Sequence, residues 1–465
     1  MKQNRLINKF IGDKNFYIKT LGIVVPIIIQ NLITNFVNLL DNIMVGQIGT
    51  DQMNGVSIVN QLMFVFNLCV FGAVSGAGIF TAQYYGKGDD EGVRNTFRAK
   101  IILLAVVMAV AMAVFIGGGD FLIMQFLHET DGIGNASATL SAGHSYLIIM
   151  LIGLPAFAMG QCYSNTLRDI GETVVPMVGS VAAVFVNLVL NYILIFGHFG
   201  VPALGVDGAA YATIISRYLE VFIVMLWTHM HKEKNAFIVG AYKTLRIPAS
   251  LMKQIIIKGS PLAINEALWA MGITMMNQNY SLRGLSVVAA LNISSTISNL
   301  FSVIYFSMGD AIAIIVGQLL GANKMKEARD TDNKLIAMGV MSCLVVGTLM
   351  GIFRGTFPAI YNTEQEVKDL AAYMILITAI MMPFYSILHS SYFTIRTGGQ
   401  TFITFLFDSG FIWCISVPVA FLLTHFTSIP IEGVYPIVCS MDLIKVIIGI
   451  VLVKKGVWMR NIVNI

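Results

Sequence analysis

Apolar residues in this chain come in long runs rather than in the mixed rhythm of a soluble protein. Leu21–Leu40, Ile101–Phe115, Val181–Phe196 and Val446–Val453 with its flanks are the clearest blocks. A helix rises about 1.5 Å per residue, so about 20 mostly apolar residues cross a bilayer. Reading blocks between polar breaks predicts twelve spans, near 17–43, 54–82, 98–118, 138–164, 173–197, 207–230, 252–280, 286–317, 335–354, 369–393, 400–424 and 434–453. The pattern predicts an all-α polytopic membrane protein.

Composition agrees. Of 465 residues, 56% are hydrophobic and 12% charged, with a mean hydropathy of +0.77; a soluble chain carries about 25% charged residues. The five cysteines, Cys69, Cys162, Cys343, Cys414 and Cys439, lie scattered in apolar segments without metal-ligand spacing and read as small hydrophobes. The basic N-terminal segment, with Lys2, Arg5, Lys9, Lys14 and Lys19, precedes no small-residue cleavage site and reads as a retained cytoplasmic tail. With the N-terminus inside, 24 of the 29 Lys and Arg fall on the inner side, and only Arg283, Arg354 and Lys368 on the outer side. That asymmetry predicts an even span count with both termini cytoplasmic. The net charge of +4 is a topology signal and implies no nucleic-acid partner. The expected organisation is a tail over 1–16, an N-lobe over 17–230, a cytoplasmic linker over 231–251, a C-lobe over 252–453 and a tail over 454–465.

The two lobes repeat one another. At an offset of 235, Pro26 meets Pro261, Asn42 meets Asn277, Gly49 meets Gly284, Phe66 meets Phe301, and Gln83 with Gly86 meets Gln318 with Gly321. At an offset of 228, Pro155, Thr166, Arg168 and Gly171 meet Pro383, Thr394, Arg396 and Gly399. Six spans separate equivalents, so both halves cross in the same direction, as two six-helix lobes related by a pseudo-twofold axis along the membrane normal. Such a duplication suits alternating access around a central site. Pro26 and Pro261 are the hinge candidates, since proline removes a helix hydrogen bond.

Polar positions inside spans mark the candidate site, because lipid offers them no partner. In the first span Asn31, Asn35, Asn38 and Asn42 recur at helical spacing on one face, with Thr34 and Asp41 at its edge. Such a stripe either glues helices together or walls a water-filled cavity, and the cavity is the expectation. Glu266 lies deep in the seventh span and shares a face with Trp269 and Asn277. Asp41 and Glu266 are the candidate carriers of a proton or sodium ion; Asp310 and Asp408 are further carboxylates. Arg217 with Glu220, and Asp442 with Lys445, are spaced i, i+3 and read as structural ion pairs. His144 and His389 are each either a titrating group or a bonded core histidine.

No phosphate loop, HExxH or clustered Cys/His site is present. The expectation is a transporter, not an enzyme, with no cofactor beyond a coupling ion drawn from a gradient.

Several segments together resemble the multidrug and toxic compound extrusion (MATE) transporters over nearly the whole chain. They are NLLDNIMVGQIG in the first span, the loop AQYYGKGD with its second-half partner GQLLGANK, TLRDIGETVVP after the fourth span, NLVLNYILIFG in the fifth and GVDGAAYAT opening the sixth. The resemblance implies multidrug efflux coupled to Na+ or H+ entry, in the cell membrane, by a monomer whose partners are small-molecule drugs and the lipid bilayer. In the family, the first-span Asp gathers a cation with fifth-span side chains. By resemblance that makes Asp41, Asn187 and Asn191 the coupling site, open to Na+, with Thr213 as a fourth member. Many relatives have Asp where this chain has Asn191. Glu266 looks like the seventh-span Glu of the NorM-like branch, whose tenth-span acidic partner is missing here, with Tyr385 near its place. Asn31, Asn35, Asn38, Trp269, Asn277, Tyr385 and His389 are the expected substrate-cavity residues. The alternative is a flippase for lipid-linked precursors, which would need a cationic cavity.

Overall fold

A computed structural model describes residues 10–126 and 136–464, apart from the side chains of residues 38, 39, 42, 43 and 50. Twelve long helices run through the described residues. They are α1 (Lys14–Gly46), α2 (Thr50–Lys87), α3 (Asp90–Met124), α4 (Ala136–Asp169), α5 (Val174–Phe196) and α6 (Gly205–Met230). The second set is α7 (Ala249–Ser281), α8 (Leu285–Gly321), α9 (Met325–Ile352), α10 (Gln365–Thr397), α11 (Thr401–Phe426) and α12 (Ile431–Lys455). No strand occurs among the described residues. Eleven of the twelve are long and apolar enough to cross a membrane. The exception, α7, carries Asn265, Glu266, Asn277, Gln278 and Asn279.

Most helices overrun the predicted spans. The third extends to Asp90–Met124, because chain leaving an apolar core keeps its backbone bonds by staying helical. α11 alone is irregular, widening into π-helical turns at Leu406–Gly410 and Ile412–Ser416. Such turns re-aim side chains and cluster at functional sites.

The chain divides into two compact units. One comprises Ile29–Thr81 and Asp90–Ile256, with α6 packed on α4 and α5, and α3 on α4. The segment between α6 and α7 is basic yet not a loose connection. Its turn at Ala236–Ile238 buries Phe237 and Ile238. Arg98 donates to the carbonyls of Gly240 (2.8 Å) and Ala241 (2.9 Å), and Arg94 to those of Ala236 and Phe237 (both 3.2 Å). Two α3 guanidiniums thus satisfy four carbonyls that water would otherwise bind.

The other unit comprises the chain up to Ile28, Ala82–Asp89 and Ile257–Ile465. Its main core joins Ile23, Val24 and Ile27 of α1 to Met308, Ile312 and Ile315 of α8 and to Leu388 and Tyr392 of α10. At one end of this unit the repeated Gln-x-x-Gly motifs meet. A Cβ on Gly86 would overlap the backbone of Gln318, and one on Gly321 would overlap that of Gln83. Only glycine permits so close an approach. The segment after α12 straps this contact. Trp458 is fully buried, Asn461 Nδ2 donates to the carbonyls of Leu320 and Gly321 (both 3.0 Å), and Gln83 Oε1 accepts from the Ile462 amide at 2.8 Å.

Candidate functional site

A polar cavity lies among the helices of each unit, and the two share a plan. In the first unit, the run VVPMVGSVAAVFVNLVLNYILIF makes α5, ended by Gly197 in the left-handed conformation (φ 76°). The i, i+4 spacing puts Asn187 and Asn191 on one buried face. Asn191 Nδ2 donates to Asp41 Oδ1 at 2.6 Å and to Asn187 Oδ1 at 3.1 Å; Asn187 Nδ2 reaches Thr213 Oγ1 at 3.4 Å. One carboxylate, two amides and one hydroxyl from α1, α5 and α6 thus form a continuous chain beside a cavity of about 380 Å³. Asn60 and Asn67 of α2 also line it. They went unremarked in the sequence, although their i, i+7 spacing on an apolar helix was the available signal.

The α1 face that lines this cavity is Thr34, Val37, Asp41 and Val45. Asn31 and Asn35 are half-buried one position round the helix, outside this lining. The side chain of Asn38 lies outside the described residues. Next to the cavity, Gln30 donates to Ser180 Oγ (2.6 Å), Ser180 donates to Glu220 (2.5 Å), and Arg217 pairs with Glu220 at 2.9 Å.

In the second unit a cavity of about 290 Å³ is lined by Trp269, Asn277, Tyr385 and His389, all four expected there, and by Asp408 and Lys445. Tyr305 stacks on His389, with centroids 4.7 Å apart and planes at 14°. Asn265 donates to Asp408 (3.1 Å), and Asp408 takes the Lys445 ammonium at 2.5 Å. Lys445 was expected to pair with Asp442, its i, i+3 neighbour; it bonds Asp408 across to α11 instead. The π-helical turn around Asp408 turns that carboxylate toward α12, a signal absent from residue spacing. Glu266 lies outside the cavity lining, 3.5 Å from the Tyr392 hydroxyl. Pro26 and Pro261 sit inside the unbroken helices α1 and α7. His144 is exposed beside Asp120, 2.5 Å away, rather than in a core.

The repeat offsets show how the two clusters correspond. Gln30 is equivalent to Asn265 at offset 235, Ser180 to Asp408 at offset 228, and Glu220 to Lys445 and Arg217 to Asp442 at a third offset, 225. Both halves therefore build an amide, a bridging oxygen and a terminal charge, with the terminal signs exchanged. Asp408, Lys445 and Asp442 together sum formally to one negative charge. Among the described residues no group of three His, Cys, Asp or Glu could hold a metal ion. The Asp41 network offers one carboxylate with amide and hydroxyl oxygens, hard donors suited to a hard cation or a proton.

A duplicated all-helical chain with polar clefts in both halves is the architecture of a membrane transporter. Comparison with known proteins agrees. The MatE family model matches residues 26–193 and 261–426. The chain is 25% identical over 433 residues to the probable multidrug resistance protein YoeA of Bacillus subtilis, covering 91% of this chain and 90% of that protein. It is 24% identical over 439 residues to the probable multidrug resistance protein NorM of Thermotoga maritima, covering 94% and 92%. Among solved structures, an outward-facing MATE transporter of the MOP superfamily superimposes with a TM-score of 0.85 at 17% identity, over 94% of this chain and 95% of that one. A mutant of the Vibrio cholerae MATE transporter VcmN matches as well, with a TM-score of 0.85, 17% identity and coverage of 95% and 97%. The chain belongs to the MatE family; it is a multi-pass membrane transporter with the twelve-helix fold of that family, and not an enzyme.

Proposed function

We propose that this chain is a cation-coupled efflux antiporter that expels amphipathic, often cationic aromatic compounds by alternating access, working as a monomer with both termini in the cytoplasm. The observation that carries the reading is the hydrogen-bonded chain Asp41–Asn191–Asn187–Thr213 beside a cavity. A carboxylate within a span is costly unless partners hold it, and here its Asn191 partner is a neutral amide, which positions the carboxylate without adding a second charge to the site that would recruit Na+ or H+. Asn191, where many relatives have Asp, makes the site singly rather than doubly charged. The aromatic cavity of Trp269, Tyr385 and His389 supplies flat apolar surfaces, and the excess negative charge of Asp408, Asp442 and Lys445 favours cationic guests. The same excess disfavours a phosphorylated lipid precursor. The relatives YoeA and NorM, both probable multidrug resistance proteins, support drug export.

The test is dye efflux from a pump-deficient host and from proteoliposomes, under separately imposed sodium and pH gradients. Asp41→Asn should abolish gradient-driven export while the protein remains in the membrane. Export by the parent that responds to neither gradient would reject the coupling.

A further inference from the structure

Asp332 of α9 belongs to neither cavity. It is 1% exposed and has one hydrogen bond among the described residues, from Thr394 Oγ1 of α10 at 2.6 Å. The repeat shows what is unusual here. In the first half Thr166, equivalent to Thr394, receives the Lys100 ammonium (3.1 Å), which is also paired with Asp169 at 2.7 Å. The second half has Leu335 and Thr397 at the positions of Lys100 and Asp169, and an acid at the position of Phe97. A buried cation with its counter-ion has been replaced by a single carboxyl group.

Among the described residues no ion pair reaches it, and its hydrogen bond comes from a neutral hydroxyl. On α9, Arg329 donates to the Lys454 carbonyl of α12 and Lys334 lies over the Phe16 ring of α1; Asp330 is exposed. On α10, Arg396 lies over the Phe393 ring at 5.3 Å, and the Tyr392 hydroxyl turns to Glu266. On α8, the face toward this core is Met308, Ile312 and Ile315, and Asp310 is two residues from Met308, on the opposite side of the helix. Lys445 of α12 is engaged by Asp408.

A second observation lies along the same seam. Ser386 and Ser390 of α10 are both fully buried; the Ser390 hydroxyl has no hydrogen-bond partner, and that of Ser386 meets the Cys343 thiol. With Thr394 they recur every four residues, about 6 Å apart along the helix, and face α9 through Gly339, where a Cβ would come within 2.8 Å of Ser386 Oγ. An unpaired carboxylate in so dry a place takes up a proton rather than stay ionised, and a row of hydroxyls gives that proton acceptors along the seam. We propose that Asp332, with Thr394, Ser390 and Ser386, is a proton-binding site of the second half, separate from the Asp41 network and from Glu266. It stands independently of the coupling ion, because none of its four residues lines either cavity.

Infrared difference spectra of the full chain in lipid vesicles, between acid and alkaline pH, test this. The parent should show a protonated-carboxyl C=O band that vanishes in D332N and persists in D41N and E266Q. In T394V the band should move to higher frequency as the hydroxyl partner is lost. A D332N spectrum that superimposes on the parent's overturns the proposal. So does loss of the band on adding sodium chloride at fixed pH, which places a metal cation there. If D332N does not fold, the T394V spectrum decides: an unmoved band overturns the assignment. Loss of coupling in D41N with this band intact would leave the two sites distinct.

Discussion

Single residues divide here by whether their partner lies on the same helix or on another. Lys445 and Asp408 are nearly buried, with side chains 4% and 13% exposed. Removing one member leaves the other charged and unpaired, at a cost of about 3–5 kcal/mol, whereas replacing both with apolar groups is often close to neutral. K445M should therefore lower the melting temperature and yield of the purified protein markedly, and the D408L/K445M pair should recover most of the loss. Arg217, 36% exposed, pairs along one helix, and R217M should cost about 1 kcal/mol or less. At the proposed coupling site, N191L removes an amide that positions Asp41 and offers an oxygen to a metal cation, together worth about 1.5 kcal/mol, so apparent Na+ affinity should weaken about tenfold in proteoliposome uptake. The same division governs legibility. Asn187 and Asn191 were readable because i, i+4 spacing fixes a shared face. The Lys445 pairing was not, because it depends on a π-helical turn in another helix. Asp332 was hidden among the charges that open α9, where composition suggests solvent.

Elements were legible wherever apolar runs decide them. Twelve blocks in the sequence became twelve helices, and the differences lie at their ends, where backbone hydrogen bonding rather than side-chain hydropathy sets the length. The segment between α6 and α7 escaped for the same kind of reason. Its Lys and Arg suggest a solvated connection, but what pins it is four backbone carbonyls, and carbonyls carry no letter in a sequence. Arg98→Ala, losing two of those bonds, should make residues 236–243 newly sensitive to limited proteolysis without unfolding the helices, as cleavage mapping would report. Fragments cut elsewhere, or unchanged resistance, would mean that burial of Phe237 holds the segment unaided.

For the molecule as a whole, the proposed coupling has an energetic bound. The membrane potential supplies about 2.3 kcal/mol per charge per 100 mV, enough for about a fiftyfold gradient of a neutral compound at one ion per cycle. A monovalent cation exchanged one for one moves no net charge. Its export should then ignore an imposed potential and follow only the ion's chemical gradient, while a neutral substrate responds to both; valinomycin-clamped vesicles separate the cases. The Gln-x-x-Gly contact makes a different demand. G86V and G321V each push a side chain into the backbone of the other repeat, so both should damage folding to a similar degree, judged by size-exclusion profile. That reciprocity has an evolutionary corollary. In a symmetric ancestor built from two copies of one six-helix chain, a mutation at this glycine would have struck the seam twice at once. Fusion into a single gene lifted that penalty from every other position, letting one half keep a buried Lys100 where the other has Leu335, and an acid, Asp332, arise opposite Phe97, but at the seam each half still constrains its sibling.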